Sequence, residues 1–343
     1  MKYVHLDSVE SGQYLGRTIY ASNGAILLSE NVQLTVFMIN TLNRIGVTMI
    51  YIKDPNLEDV EIPEILSDET KRLVMTQMGQ TFASIQSGKD FNTRNVSMSI
   101  NTLLDEIMKN RDVLVQLNDI RTQDNQMYIH AMNVCMMAVL IGMNMGMNAT
   151  QLKDLAMGAL LHDIGKVELL TDDESEDPRR HHTWRGFELL KNKREFNLLI
   201  AHVAFQHHEA LNGEGVPRGI TGDDIHLYAK ITAVANMYDN LLFDMSAGRR
   251  KLPHEACEYM LALAETKLDR DVLIQFLKIV SIYPTGTSVR LTNRETGVVV
   301  GQHRGLPTRP IIRIVKQDAA DKVLDIKEID LAKETTLFIE QVL

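Results

Sequence analysis

Residues 160–166 read Leu-Leu-His-Asp-Ile-Gly-Lys and place an imidazole beside a carboxylate where an apolar helical pattern ends. At a helix end two neighbouring side chains can reach one central point, so His162 and Asp163 can bind the same cation. A carboxylate has two oxygens, which allows Asp163 to bridge two cations. Neutral imidazole and carboxylate are the ligands expected for zinc, iron or manganese. This stretch therefore predicts a metal site.

Further histidines stand where helical patterns can bring them to the same place. His130 lies in another apolar helical pattern, and His182, His207 and His208 follow the first stretch. Ligands that project inward from several helices of a bundle can build a dinuclear site. One histidine in an apolar helix is usually a core residue, but five with an aspartate are hard to explain that way. His181 adjoins His182, which leaves open which of the two faces the site.

Length and charge restrict the class of protein. The chain has 343 residues and a formal charge of -9, from 36 Lys and Arg against 45 Asp and Glu. This length predicts two or three domains with a sizeable core. The net negative charge disfavours non-specific binding to nucleic acid or anionic membranes, so we expect neither DNA binding nor membrane insertion.

Cysteine usage and the first residues predict a cytoplasmic location. Cys135 and Cys257 both lie in apolar helical patterns and are interpreted as core residues, not as a disulfide pair. The first five residues contain no apolar stretch of the kind found in signal peptides. Residues 131–147 are the most apolar segment, but two asparagines interrupt it, which indicates a buried helix rather than a membrane span.

The spacing of apolar residues divides the chain into four parts and predicts a mainly α fold. Residues 1–54 form a β-rich module, 55–118 a linker with helices, 119–280 a helical bundle, and 281–343 an antiparallel β segment. We predict helices over 36–45, 71–85, 96–117, 126–147, from a cap at Asn148 to Gly165, and over 183–190, 195–209, 223–245, 253–263 and 271–279. Strands are predicted around 4–6, 18–20, 26–28 and 48–52, with a turn at Asn23-Gly24, and over 288–291, 297–301, 310–315, 323–326 and 336–339.

Several of these motifs together resemble one known family. Residues 162–166, followed by His-His-Glu-Ala-Leu-Asn-Gly-Glu-Gly-Val-Pro-Arg-Gly at 207–219, resemble the HD-GYP family, a subgroup of the HD phosphohydrolases. Residues 128–130, 182–186 and 234–239 match further segments of that family. The resemblance covers about residues 119–260.

The resemblance implies an HD-type helical domain that binds two or three metal ions, commonly iron or manganese, and hydrolyses cyclic di-GMP. It assigns Asp163 and Lys166 to catalysis and Lys166, Arg249 and Arg250 to the substrate, although a solvated basic turn is the simpler interpretation of the two arginines. The implied metal ligands are His130, His162 and Asn236 for one ion and His182, His207 and His208 for the other, with Asp163 as the bridge.

The chain departs from the family pattern at four places. Asn236 replaces an aspartate, which should weaken one metal site unless Asp239 substitutes for it. Val216 replaces the tyrosine of the Gly-Tyr-Pro motif, and Gln126 replaces a glutamate of trinuclear members, which argues for two metals. An acidic run at 172–177 fills a segment that is shorter than usual.

Two hypotheses follow, and a third is weaker. The chain is a dinuclear-metal phosphodiesterase that opens cyclic di-GMP, or it is a degenerate relative that binds nucleotide or signalling-protein partners without efficient turnover. The third hypothesis is a phosphohydrolase of another nucleotide. A homodimer is a further candidate association.

Overall fold

A computed structural model describes residues 1–117, 119–168, 177–243, 250–317 and 324–343. These residues contain ten α-helices and nine β-strands, arranged as a helical bundle with a small β-rich module before it and an antiparallel sheet after it, which confirms the predicted fold class. The helices are α1 (Val36–Arg44), α2 (Asp68–Gln86), α3 (Thr93–Lys109), α4 (Gln126–Asn144), α5 (Ala149–Leu160), α6 (His182–Lys191), α7 (Leu198–Gln206), α8 (Leu227–Phe243), α9 (Pro253–Ala262) and α10 (Arg270–Ile279). The strands are β1 (Lys2–His5), β2 (Ile19–Tyr20), β3 (Ile26–Leu28), β4 (Met49–Ile52), β5 (Ser288–Leu291), β6 (Thr296–Gly301), β7 (Ile311–Gln317), β8 (Leu324–Asp330) and β9 (Ile339–Val342).

The first module consists of two small antiparallel sheets and α1. β1 pairs with β4, and β2 pairs with β3. The predicted turn at Asn23-Gly24 joins β2 and β3, and Gly24 has a φ of 77°, a conformation that glycine adopts without strain. The apolar residues of this module form a separate core that includes Ile120, which precedes α4. The module therefore packs against the entrance to the bundle.

The central helix of the bundle is α4, which contacts α2, α3, α5, α8 and α10. Its length and composition would suffice to cross a membrane, but 78% of its most apolar window is buried inside the protein. Gly142 allows side-chain atoms of Leu152 and Leu155 to approach within 3.0 Å of the position that a Cβ would occupy. This close packing is what a core helix requires.

The end of α5 differs from the prediction in a way that matters for the site. Asn148 and Gln151 form the predicted capping box at its start. The helix ends at Leu160, however, and not at Gly165, because residues 161–163 form a turn and 164–168 a short 3-10 helix. His162 and Asp163 therefore lie in the turn, where their side chains are not restricted to the orientations that helical residues adopt.

Other element boundaries also needed correction. The helix predicted over 96–117 ends at Lys109, and Val115 instead forms an isolated bridge with Val280. The helix predicted over 223–245 begins at Leu227, and its last two residues lie outside the described residues, as does residue 323 of a predicted strand.

The five-stranded sheet has the order β8-β7-β6-β5-β9 and is antiparallel throughout. The last strand was predicted over 336–339, whereas β9 begins at Ile339 and pairs with β5. Arg313 on β7 donates two hydrogen bonds of 2.6 Å to Asp59 in the segment between the first module and α2. This ion pair connects the five-stranded sheet to the segment before α2.

Candidate metal centre

Four separate elements supply the histidines and the aspartate among the predicted ligands. His130 lies in the first turns of α4, while His162 and Asp163 lie in the turn after α5. The list is completed by His182, which is the first residue of α6, and by His207 and His208, which follow the last residue of α7. All of these side chains are buried except that of His208, which is partly buried.

Two glycines bring α6 against the turn that carries Asp163. A Cβ on Gly165 would lie 2.0 Å from the carbonyl oxygen of His182 and 2.6 Å from the backbone nitrogen of Gly186. No side chain could occupy that space, so the approach depends on glycine at position 165. Because His182 is part of the contact, the same packing places its imidazole beside Asp163.

The first set of ligand atoms consists of His130, His162 and Asp163. The Nε2 atoms of the two histidines are 3.1 Å apart, and they lie 3.6 Å and 3.4 Å from Asp163 Oδ2. One candidate ligand atom from each of the three residues lies within 4.8 Å of the others. The set could surround one cation.

The second set consists of His182, His207, His208 and the same aspartate. The Nε2 atoms of His182 and His207 lie 3.3 Å and 3.5 Å from Asp163 Oδ1 and 3.4 Å from each other. Ligand atoms of all four residues again lie within 4.8 Å of one another. The two oxygens of Asp163 thus face different sets, which is the geometry of a carboxylate bridge.

Hydrogen bonds on the outer side of the rings show why this arrangement suits cations. The Nδ1 atoms of His162 and His207 donate to the backbone oxygens of Ala159 at 2.7 Å and Ala204 at 2.9 Å. Each Nδ1 therefore carries the proton, and each Nε2 directs a lone pair toward Asp163. Lone pairs and a carboxylate facing one another repel unless a cation lies between them. Among the described residues none donates a hydrogen bond to the buried Asp163 Oδ1.

The protonation states agree with the same conclusion. Burial lowers the pKa of His162 and His208 well below the ordinary value, and it also lowers the pKa of His207. Burial would raise the pKa of Asp163, but the attraction of the Lys166 ammonium, 2.7 Å away, opposes burial, and that pKa lies well below its ordinary range. At neutral pH the imidazoles of His162, His207 and His208 are therefore neutral and the Asp163 carboxylate is ionised, as metal binding requires.

Asp239 orients His130, a predicted ligand, and its carboxylate is engaged by other side chains. Its carboxylate accepts hydrogen bonds from His130 Nδ1 at 2.6 Å, from both terminal nitrogens of Arg121 at 2.9 and 2.5 Å, and from Asn133. With both oxygens engaged, Asp239 fixes the tautomer of His130 so that its Nε2 faces the site. Sequence reasoning missed Arg121 and Asn133, and it did not foresee that Asp239 orients His130.

Asn236 is buried and borders the same cavity as His207 and His208. Its Oδ1 accepts a hydrogen bond of 2.9 Å from Asn240, one turn further along α8. An amide oxygen can still bind a cation while it accepts this bond. The prediction that Asn236 is a ligand thus stays a prediction.

The residues predicted to contact substrate lie in different parts of the structure. Lys166 is partly exposed, and its ammonium lies 2.7 Å from Asp163 Oδ2, at the edge of the site. Arg250 instead donates a hydrogen bond to Thr48 of the first module. Arg249 and residues 172–176 of the acidic run lie outside the described residues.

A cavity of about 520 Å³ opens beside the second ligand set. Lys251, Tyr259 and Lys267 line it together with His208 and Asn236. The Lys251 ammonium lies 5.1 Å from the centre of the Tyr259 ring, and Lys267 pairs at 3.6 Å with a glutamate at the rim. The two lysines balance the two glutamates that also line this cavity, Glu209 and Glu214. No local pattern in the sequence marked them, since both lysines stand in ordinary surface patterns.

Glu209 shapes one side of the cavity. Its two carboxylate oxygens accept hydrogen bonds from the backbone nitrogens of Arg218 at 3.0 Å and Ile220 at 3.2 Å. This buried carboxylate holds the 212–219 loop, in which Val216 is exposed and precedes a cis proline. The valine is therefore available to solvent or a ligand and does not serve the core.

Comparisons with known proteins match two parts of the chain to known families. The family described as HD domain matches residues 115–272, and the family described as KOW domain associated with HD domain matches residues 288–343. A cyclic di-GMP phosphodiesterase of Pseudomonas aeruginosa is 27% identical over 269 residues, which cover 75% of this chain and 63% of that protein. A cyclic di-GMP phosphodiesterase of Borreliella burgdorferi is 25% identical, over 60% of this chain and 55% of that protein.

Another relative carries a different substrate in its name. A 3'3'-cGAMP-specific phosphodiesterase of Vibrio cholerae is 25% identical over 42% of this chain and 30% of that protein. The chain spans less than two thirds of the length of each of these relatives. The resemblance noted in the sequence is confirmed: residues 115–272 match the HD domain family, and residues 288–343 match the KOW domain that is associated with HD domains.

Proposed function

We propose that this chain is a metal-dependent phosphodiesterase that hydrolyses a cyclic dinucleotide, with cyclic di-GMP as the first candidate. The observation that carries the proposal is the convergence of five histidines on the two oxygens of Asp163 beside a cavity of about 520 Å³. A cavity of this size is in the range that binds small molecules. The names of the relatives support the choice of substrate class.

Two divalent cations, iron or manganese by resemblance, would supply Lewis-acid activation of water and of the phosphodiester. His130 and His162 would hold one of them, His182, His207 and His208 the other, and Asp163 would bridge the two. Asn236 is proposed as a further, uncharged ligand.

The protein's own groups complete the chemistry. Lys166 is partly exposed at the edge of the site, so its ammonium can donate to a phosphate oxygen while it remains near Asp163. Lys251 places a positive charge along the adjacent cavity, where the second phosphate and the sugars of a cyclic dinucleotide would extend, and Lys267 lies there paired with Glu214. The aromatic ring of Tyr259 offers a face for a base.

The first test replaces the bridge. Asp163→Ala should remove both metal ions and all turnover of cyclic di-GMP, because both ligand sets use this carboxylate. Asp105→Ala, which removes an exposed carboxylate on α3, is the matched control and should retain both. Manganese-loaded wild-type protein that releases no linear dinucleotide or GMP would refute the proposed activity.

A specific observation supports the alternative of a binding protein without efficient turnover. Asn236 contributes no charge and its Oδ1 is already shared with Asn240. On that alternative, Asn236→Asp raises turnover at saturating metal and substrate by tenfold or more. If this turnover does not rise, Asn236 is an ordinary ligand here and the alternative is rejected. A parallel assay with 3'3'-cGAMP decides between the two substrate classes that the relatives suggest.

A further inference from the structure

A second cavity lies where the three structural parts of the chain meet. Its volume is about 400 Å³, and its walls come from the first module, the helical bundle and the β-sheet. The first module contributes Tyr3 and Tyr51, the bundle contributes Phe243 and His254, and the segment that contains the sheet contributes Tyr283. The volume is sufficient for a small organic ligand.

Aromatic rings form part of the walls of this junction cavity. The rings of Tyr3 and Tyr51 lie 4.7 Å apart at 34°, and the imidazole of His254 stacks on Tyr283 at 5.5 Å and 26°. Flat ring faces of this kind favour a planar aromatic ligand, because stacking adds to the burial of apolar surface.

The charge of the cavity wall indicates an anion. Arg250 and Lys251 supply positive charge, and the described residues that line the cavity include neither Asp nor Glu side chains. Arg250 is held in place by its hydrogen bond to Thr48. In a chain with a net charge of -9, such a local excess of positive charge complements a carboxylate, sulfonate or phosphate.

A chain of contacts leads from this cavity to the metal centre. The ring of Phe243 forms part of the wall, and the Arg121 guanidinium lies 3.6 Å from the centre of that ring. Arg121 binds Asp239, which holds His130. A ligand that displaces the phenyl ring would therefore shift the guanidinium that fixes the carboxylate behind His130. Lys251 borders both this cavity and the one beside the metal centre.

We propose that the junction cavity binds a small aromatic anion and that its occupancy alters cation binding at Asp163. The binding site stands independently of the proposed phosphodiesterase activity. The coupling rests on the cation site of that proposal.

The binding test uses 8-anilinonaphthalene-1-sulfonate, an aromatic anion, in a fluorescence titration of the metal-free full chain. We expect one saturable site. His254→Glu, which adds a negative charge to the wall, should weaken binding at least tenfold. Leu261→Glu adds the same charge at an exposed position of the same helix and should leave the affinity within twofold.

A second variant and a second probe keep the test decisive if His254→Glu unfolds. Arg250→Gln retains a donor for Thr48 but removes the positive charge, and it should also weaken binding of the sulfonate at least tenfold. The uncharged N-phenyl-1-naphthylamine should bind the wild-type chain at least tenfold more weakly than the sulfonate. Equal affinity for both probes, or equal affinity of the Arg250 and Leu261 variants for the sulfonate, would overturn the proposed site.

The coupling test measures the affinity for Mn²⁺ by calorimetry, with and without saturating sulfonate. We expect the Mn²⁺ Kd to change at least fivefold in the wild-type chain and to stay unchanged in Phe243→Leu, which removes the ring beneath Arg121. An unchanged Kd in the wild-type chain would refute the coupling. Because the sulfonate titration uses metal-free protein, a failed site and a failed phosphodiesterase give different results.

Discussion

Replacing Gly165 with alanine should separate the two halves of the metal centre. The added Cβ would lie 2.0 Å from the carbonyl oxygen of His182, whereas real Cβ atoms essentially never approach another atom closer than 3.0 Å. Both close atoms, this oxygen and the Gly186 nitrogen, belong to the backbone of α6, so no side chain can rotate away. The first turn of α6 must move by at least about 1 Å.

Such a movement exceeds what a metal site tolerates. Ligand distances in metal sites vary by about 0.2 Å, and His182 would be carried away from Asp163 by several times that amount. Cation binding to the second set should fall at least about 100-fold, whereas His130 and His162 are not part of the contact and should keep their cation. Overpacking should also cost about 1–3 kcal/mol of unfolding free energy.

Calorimetric titration with Mn²⁺, together with urea denaturation of the metal-free chain, measures both effects. Gly79→Ala is the control, because the nearest atom to its Cβ would be the Tyr128 hydroxyl at 3.9 Å. That variant should bind Mn²⁺ normally and gain about 0.5–1 kcal/mol from helix propensity. If Gly165→Ala binds two Mn²⁺ ions with wild-type affinity, the proposed role of this contact is wrong.

Two further predictions follow from the buried charges. Asp239→Asn leaves Arg121 without its ionic partner and should lower the free energy of unfolding in urea by about 3–5 kcal/mol. The control Glu188→Gln, at an exposed ion pair, should lower it by under about 1 kcal/mol. Equal losses in the two variants would contradict the role assigned to Asp239. The metal-free chain should lose stability as the pH falls below about 6.5, because His162 and His207 stay neutral in the folded chain but bind protons in the unfolded chain. Each histidine should lower the free energy of unfolding by up to about 1.4 kcal/mol per pH unit. Urea midpoints between pH 7.5 and 5.5 in a chelating buffer measure this slope, and a flat profile would contradict it.

Local signals in the sequence predicted the parts of the fold that depend on neighbouring residues. The capping box at Asn148 and the turn at Asn23-Gly24 each involve residues within three positions of one another, and both are present. The helix predicted through Leu117 was wrong beyond Lys109, because an apolar run has the same appearance in a helix and in a buried extended segment. In this case Val115 pairs with Val280, which is 165 positions away. The spacing of apolar residues around Val115 cannot reveal so distant a partner.

In the site, too, features that depend on neighbouring residues could be predicted and contacts between distant residues could not. Adjacent histidine and aspartate residues signalled ligands, and the structure brings those side chains together. The ion pair between Arg121 and Asp239 joins residues 118 positions apart, so nothing near either residue marked it. Its effect on the site is nevertheless direct, since it determines which nitrogen of His130 is available.

The charge balance of the centre gives the asparagine at position 236 a physical meaning. In the two ligand sets found among the described residues, Asp163 is the one carboxylate, and the carboxylate of Asp239 is neutralised by Arg121. Two divalent cations would therefore leave the centre strongly positive, and Lys166 adds to this charge. Cations should be held less tightly than with an aspartate at position 236, but an anionic phosphodiester should be attracted more strongly. Asn236→Asp should accordingly tighten Mn²⁺ binding and raise the KM for a cyclic dinucleotide, and a variant in which both improve would show that this balance does not govern the site.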